Sequence, residues 1–300
     1  MRDKAPNIVI AFLLFCLGVA VPVAQGQGPC NLATFTGTYA FFDRGSSSIF
    51  DANSQPYPLH WAGAYAPFVT VGEVTMGPGG VGDGFYWIRL GSLNGGSSPI
   101  PVQVTITEMN EDCTGKFSYQ LNLPGVSGAT TVTERFMLID NGREFRSIPA
   151  DIENGVSTLT WIGEGHRISR PGEALNTCGP QTANGSYLQP VENLTQFSSD
   201  VPIFSGAVLL HYNVSISGDF TGTLYEKLGP TGNLVFPFSG TIVVNPDCSY
   251  ASSIYVNVYG TPVTIATRGL FFDQGKKLYG LQVSSGGTQY SFGQGVRVGQ

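Results

Sequence analysis

The sequence predicts an all-β protein built as two tandem antiparallel β-barrel-like domains, with a β-sandwich as the alternative architecture. Three observations carry this. A set of landmarks occurs twice in the same order, period-two alternation recurs throughout, and no stretch carries a helical period. The landmarks begin with Cys30, six residues, then Gly37-Thr38-Tyr39, echoed by Cys178, six residues, then Gly185-Ser186-Tyr187. Asn110-Glu111-Asp112-Cys113-Thr114 is repeated as Asn245-Pro246-Asp247-Cys248-Ser249, and Asp140-Asn141-Gly142-Arg143 as Asp273-Gln274-Gly275-Lys276. Each copy closes on a Gly-x-Gly-x-Arg pattern, Gly163 to Arg167 and Gly293 to Arg297.

The first 26 residues read as a secretion signal. Arg2 and Lys4 precede the apolar run Ile8 to Ala20, and Ala24-Gln25-Gly26 offers small residues for cleavage near Gly26. The run is shorter than the roughly 20 residues of a membrane span, so a secreted or lumenal chain without stable membrane insertion is expected. Cleavage leaves 13 basic and 20 acidic side chains. That balance, without basic runs, excludes nucleic acid as a partner. Charged residues make up only 12% of the chain and Gly numbers 40, which leaves little material for charged helix faces.

Domain 1 spans 27–168, a linker containing Pro171 and Gly172 spans 169–177, and domain 2 spans 178–300. Within domain 1, Val102, Val104 and Ile106 alternate with polar residues, as do Phe117, Tyr119 and Leu121. Asn141-Gly142 marks a hairpin turn. In domain 2, Ile254, Val256 and Val258 alternate in the same way. Seven or eight short strands per copy close most economically into a small barrel, which removes exposed edges.

Removal of Cys16 with the signal leaves four cysteines, two per copy. Four cysteines allow three connectivities. A unit that once stood alone would have closed its own bridge, which selects Cys30–Cys113 and Cys178–Cys248. A zinc site is the competing reading, but no Cys-x-x-Cys occurs and His60, His166 and His211 are scattered, so no metal and no cofactor is expected. Sequons at Asn184, Asn193 and Asn213 are glycosylation acceptors in a eukaryotic host. If Asn213 points outward, so does His211, and Glu73, at the matching place in domain 1, is expected to be exposed.

Residues shared by both copies build scaffold, so function is sought where they differ. Domain 1 carries extra length between Cys30 and Val74, in the loop 43–68, and that loop is aromatic: Phe50, Tyr57, His60, Trp61, Tyr65 and Phe68. It reads either as a lid or pocket wall for an apolar ligand, or as a plug between the domains. Trp87 and Arg89 share a strand face, and Tyr225 and Lys227 repeat that pairing. His166 stands where domain 2 has Val296.

The Cys-x6-Gly-Ser/Thr-Tyr, Asn-x-Asp-Cys-Ser/Thr and Asp-Asn/Gln-Gly-Arg/Lys series behind a signal peptide resembles a loosely defined group of secreted microbial proteins with one or two β-barrel units. In architecture the chain is similar to lipocalin-like and allene-oxide-cyclase-like barrels, some of which act as cyclases in natural-product pathways. The motifs are structural, so the resemblance transfers no catalytic residue. The leading expectation is binding of a small hydrophobic or aromatic molecule in domain 1, lined by Tyr57, His60, Trp61, Tyr65, Phe68 and Trp87. The alternative adds cofactor-free cyclase or isomerase chemistry by proximity, with His60, Tyr57 and Arg89 as candidate polarising groups. A glycan-binding or cell-surface module is the third reading. No Gly-x-Ser-x-Gly elbow and no His-Glu-x-x-His metal motif is present.

Overall fold

The structure is a computed structural model and describes residues 29–49, 66–90, 93–94, 98–122, 129–152, 157–170, 177–195, 204–228, 233–258, 260–283 and 289–299. Both copies form closed antiparallel barrels. Barrel 1 contains β1 (Gly37–Ile49), β2 (Ala66–Met76), β3 (Val81–Leu90), the two-residue β4 (Leu93–Asn94), β5 (Ile100–Met109), β6 (Thr114–Leu121), β7 (Thr130–Ile139), β8 (Glu144–Ile152) and β9 (Ser157–Ser169). Eight of these close the ring: β1 pairs with both β2 and β9, β2 with β3, and β3 with β5, while β4 hangs from β3. Barrel 2 closes through β10 (Gly185–Thr195), β11 (Phe204–Val214), β12 (Asp219–Leu228), β13 (Asn233–Val244), β14 (Ser249–Val258), β15 (Thr261–Phe272), β16 (Lys277–Gln282) and β17 (Gln289–Gly299). Closure in both copies decides for barrels over a sandwich.

The repeated landmarks assemble one device, used twice. A short turn, 3-10 at Leu32–Phe35 and α1 at Pro180–Ala183, lies at one barrel end, and its buried Phe35 or Ala183 plugs that end. The disulfides Cys30–Cys113 and Cys178–Cys248 tie each plug to the β5–β6 or β13–β14 turn, as the duplication argument expects. Tyr39 Oη donates to the Gly142 carbonyl at 2.6 Å, and Tyr187 Oη donates to that of Gly275 at 3.0 Å. Arg167 Nε then donates to Tyr39 Oη (3.1 Å), and Arg297 Nε to Tyr187 Oη (3.2 Å). The same guanidinium groups donate to the carbonyls of Thr34 and Thr182 in the plugs. The first, third and last landmarks therefore meet in one hydrogen-bonded clasp. Gly37 (φ +127°) and Gly185 (φ +140°) are required where β1 and β10 bulge against the closing strands, because L side chains rarely adopt that backbone conformation.

Strand parity sorts side chains into three apolar clusters. Tyr39, Val74, Tyr86, Phe117, Phe136 and Trp161 belong to the interior of barrel 1. Tyr187, Tyr212, Phe238 and Tyr250 belong to that of barrel 2. The third cluster lies between the barrels and joins the outer faces of β1–β3 (Ala40, Phe42, Val69, Val71, Trp87) to those of β15 and β16 (Leu270, Phe272, Tyr279, Leu281). Among the described residues no helix is long and apolar enough to cross a membrane.

Candidate functional site

The expected ligand-lining residues divide sharply. Tyr57, His60, Trp61 and Tyr65 lie outside the described residues, while residues 43–49 and 66–68 of the expected loop instead extend β1 and β2, strands that pair with each other. Phe68 has a described backbone only, paired with Gly45 and Leu90. Trp87 and Arg89 point outward from β3 against barrel 2, with Trp87 inside the third cluster and Arg89 Nη1 donating to the Gln282 carbonyl at 3.2 Å. Their counterparts Tyr225 and Lys227 remain exposed. His166 stacks on Phe272 at 5.0 Å, with Nδ1 3.3 Å from Glu144 Oε1. Burial of that imidazole pushes its pKa down. Asn184, Asn213 and His211 are exposed, and the Asn193 side chain lies outside the described residues.

Glu73 corrects the expectation of exposure. It does share the outward parity of Asn213, but it is buried, because the contact between the barrels covers the outer face of β2. Burial, reinforced by the charge of Asp247, pushes its carboxyl up to about 7. Among the described residues its Oε2 has no hydrogen-bond partner. A carboxyl whose folded pKa exceeds its unfolded value of 4.5 stabilises the fold fully below that value and loses the contribution as pH rises to about 7. The expected loss is about 3 kcal/mol across that window. Chemical denaturation at pH 5 and pH 8 checks this: Glu73→Gln should flatten the slope, and an unchanged slope would assign it elsewhere.

Two interiors remain as candidate sites, and the larger lies in barrel 2. A cavity of about 200 Å³ runs between β10–β17, walled by residues such as Leu210, Leu224, Phe236, Ile254, Val263 and Ile265. Its polar groups are few. Tyr212 Oη donates to Gln189 Oε1 at 3.1 Å, Ser252 and Thr267 hydroxyls pair at 2.6 Å, and Tyr250 faces the bare Gly280. Burial raises the Tyr212 and Tyr250 phenols, so both stay neutral hydrogen-bonding groups.

Barrel 1 keeps only about 40 Å³ of internal space. Comparison of matched interior positions explains the difference. One aromatic–glycine contact merely changes places and keeps volume nearly constant: Phe136 lies over Gly115 where barrel 2 has Gly269 and Tyr250. Phe41 over Gly72 is replaced by Gln189 and Tyr212, which adds volume to barrel 2. Elsewhere barrel 2 loses more. Phe117 and Tyr119 of barrel 1 correspond to Ser252 and Ile254, and the lost ring volume leaves the cavity.

The smaller cavity has the more unusual wall. Asp43 on β1 and Glu134 on β7 both face inward and are buried. Thr70 Oγ1 donates to Asp43 Oδ2, and Tyr119 Oη donates to Glu134 Oε1 at 2.7 Å. Burial raises both carboxyl pKa values, and the Glu134 charge raises that of Asp43 further. Ser147 and Trp161 face Glu134 and oppose its rise. Barrel 2 has Val191 and Thr267 at the two acid positions, so the pair is absent from the second copy. Sequence reasoning passed over it, although a signal existed: Asp43 follows Tyr39 and Phe41 on one parity, and Glu134 stands between Val132 and Phe136. A carboxylate on an apolar parity, present in one repeat alone, marks a position outside the shared scaffold.

No protein-family model matches the chain. Nor does any curated protein sequence. Among solved structures the chain is similar to transferrin binding protein B from Haemophilus parasuis, with TM-score 0.29, 6% identity, and coverage of 91% of this chain and 78% of that one. Transferrin binding protein B from Neisseria meningitidis gives TM-score 0.28 at 10% identity, covering 88% and 77%. A protein of unknown function of the DUF3598 family from Nostoc punctiforme gives 0.25 at 9% identity, covering 90% and 99%.

Proposed function

We propose that the protein is a secreted carrier that takes up a small, largely apolar molecule inside barrel 2. The carrying observation is the cavity of about 200 Å³ in that barrel. It exceeds the roughly 150 Å³ apolar cavity known to admit benzene. Its wall has the composition of ligand sites in general, mostly hydrophobic with a few convergent polar groups. Gln189, Tyr250 and the Ser252–Thr267 pair suit a ligand with one or two hydrogen-bonding atoms, such as a hydroxyl or carbonyl on a ring. The sequence-based expectation placed the ligand in domain 1, but the described space there is too small for a ring. The two disulfides fit an oxidising compartment, which supports secretion.

Ile254→Trp tests the reading, because it returns to barrel 2 a ring at the position Tyr119 occupies in barrel 1. Fluorescence titration with 1-naphthol should show saturable binding to the full protein, weakened at least tenfold in Ile254→Trp. Met137→Trp, on an exposed outer face, should leave it unchanged. Absence of saturable binding, or equal binding by both variants, would remove the barrel 2 assignment.

A further inference from the structure

We infer that Asp43, Glu134 and Ser147 form a second site, inside barrel 1, that holds a small primary ammonium group. The three side chains converge on Gly163. A Cβ at that glycine would lie 2.2 Å from Ser147 Oγ, 2.5 Å from Asp43 Oδ1 and 3.5 Å from Glu134 Oε2. Strand register creates the convergence: Gly163 is the cross-strand partner of both Asp43 on β1 and Ser147 on β8. Each carboxylate spends one oxygen on a hydroxyl, Thr70 or Tyr119, and turns the other toward the cradle. Among the described residues, Ser147 and the Trp161 indole face Glu134 but complete no well-aligned hydrogen bond to its Oε2, and Glu134 and Ser147 are more than nine-tenths buried.

Buried polar atoms left this way are costly unless something satisfies them. An ammonium presents three N–H donors and no acceptor, and the cradle presents three oxygens. Its single charge also offsets the mutual repulsion of two carboxylates, which otherwise forces the pair to retain a proton. Phe41, Tyr86, Phe117 and Phe145 line the adjoining space, so the alkyl side of the cation meets aromatic rings. This adjoining cavity, which Asp43 and Glu134 line and which measures about 40 Å³, admits a methylammonium-sized group and excludes an aromatic amine. A water, which needs about 10–15 Å³, also fits, so the cation competes with solvent there.

Cation binding favours the ionised pair, so affinity should rise with pH up to the amine's own deprotonation. The other titratable groups facing the pair are Tyr119 on β6 and, at longer range, Glu164 on β9, while Tyr86 on β3 acts on Tyr119. Both phenols are raised by burial and stay neutral through that range.

The test is an NMR titration of the full protein with methylammonium chloride, following the Trp161 indole N–H, which faces Glu134. The expected result is a saturable shift, stronger at pH 8 than at pH 5 and weakened at least tenfold in Glu134→Gln and in Asp43→Asn. Methanol, the neutral counterpart, should give none. Ile254→Trp should leave the shift unchanged, so this site and the barrel 2 site fail or stand separately. An equal response to methanol, or to sodium chloride at the same ionic strength, would overturn the assignment without reference to any variant. Full retention of the shift in both acid variants would do the same.

Discussion

Trp87→Ala is expected to cost about 3–5 kcal/mol, the range for truncating a buried Trp, and to split one thermal transition into two. The Trp87 indole lies outside barrel 1, in the cluster shared with Leu270, Phe272, Tyr279 and Leu281. Around it, Phe42 stacks on Tyr279 at 5.1 Å, Tyr279 Oη donates to Glu164 at 3.1 Å, and Arg89 donates to the Gln282 carbonyl. Removing the indole opens a void in the contact and leaves both closed ladders intact, so coupling between the barrels should fail before either barrel does. Calorimetry checks this, with Tyr225→Ala as control: that residue is the exposed counterpart, and the change should stay within about 0.5 kcal/mol. A single transition with lost 1-naphthol binding would instead give Trp87 a place in a ligand wall.

That prediction turns on a surface that alternation alone does not reveal. Parity along β2 and β11 places Glu73 and Asn213 on matching outer faces, and both do point outward. One is buried and the other exposed, because the fate of an outward side chain depends on what covers the barrel. The same holds for Trp87 beside Tyr225. A strand's own pattern fixes direction and says nothing of neighbours that are distant in sequence. The scaffold was legible for the opposite reason. The cysteines, Tyr39, Gly142 and Arg167 meet one another within a single repeat, and their recurrence as Tyr187, Gly275 and Arg297 announces that closed set.

The cavities lie between these extremes. The parity of each interior residue can be read from the chain, but the volume depends on which ring crosses which glycine, and that requires register. Phe41 over Gly72 and Phe136 over Gly115 are cross-strand facts. Asp43 and Glu134 stand 91 positions apart in the sequence, and Gly163 brings them together through two further strands. The length difference between the copies falls in residues 43–68, whereas the acid pair shows only as a chemical difference on the apolar parity, where a buried carboxylate needs a reason that a buried valine does not.

Loss of either disulfide is expected to cost about 4 kcal/mol in loop entropy, and that part of the two losses should nearly match. Sequence separations of 83 and 70 enter the loop-entropy expression only logarithmically. Any excess in one barrel must come from the native state, and the plugs make that difference readable. Cys30–Cys113 holds the turn carrying Phe35, whose ring contacts Tyr39, Phe136 and Phe145 at 4.9–5.4 Å. Cys178–Cys248 holds a turn whose buried residue is only Ala183. The Cys113→Ser/Cys30→Ser double variant should therefore lose more than its Cys178→Ser/Cys248→Ser counterpart, by the share of Phe35 burial that the bridge secures. Denaturant titration of the two double variants and their combination decides it. A combined loss near the sum would mean that the plugs act independently. Equal losses in the two double variants would show that the Arg167–Tyr39 clasp holds Phe35 in place without its bridge.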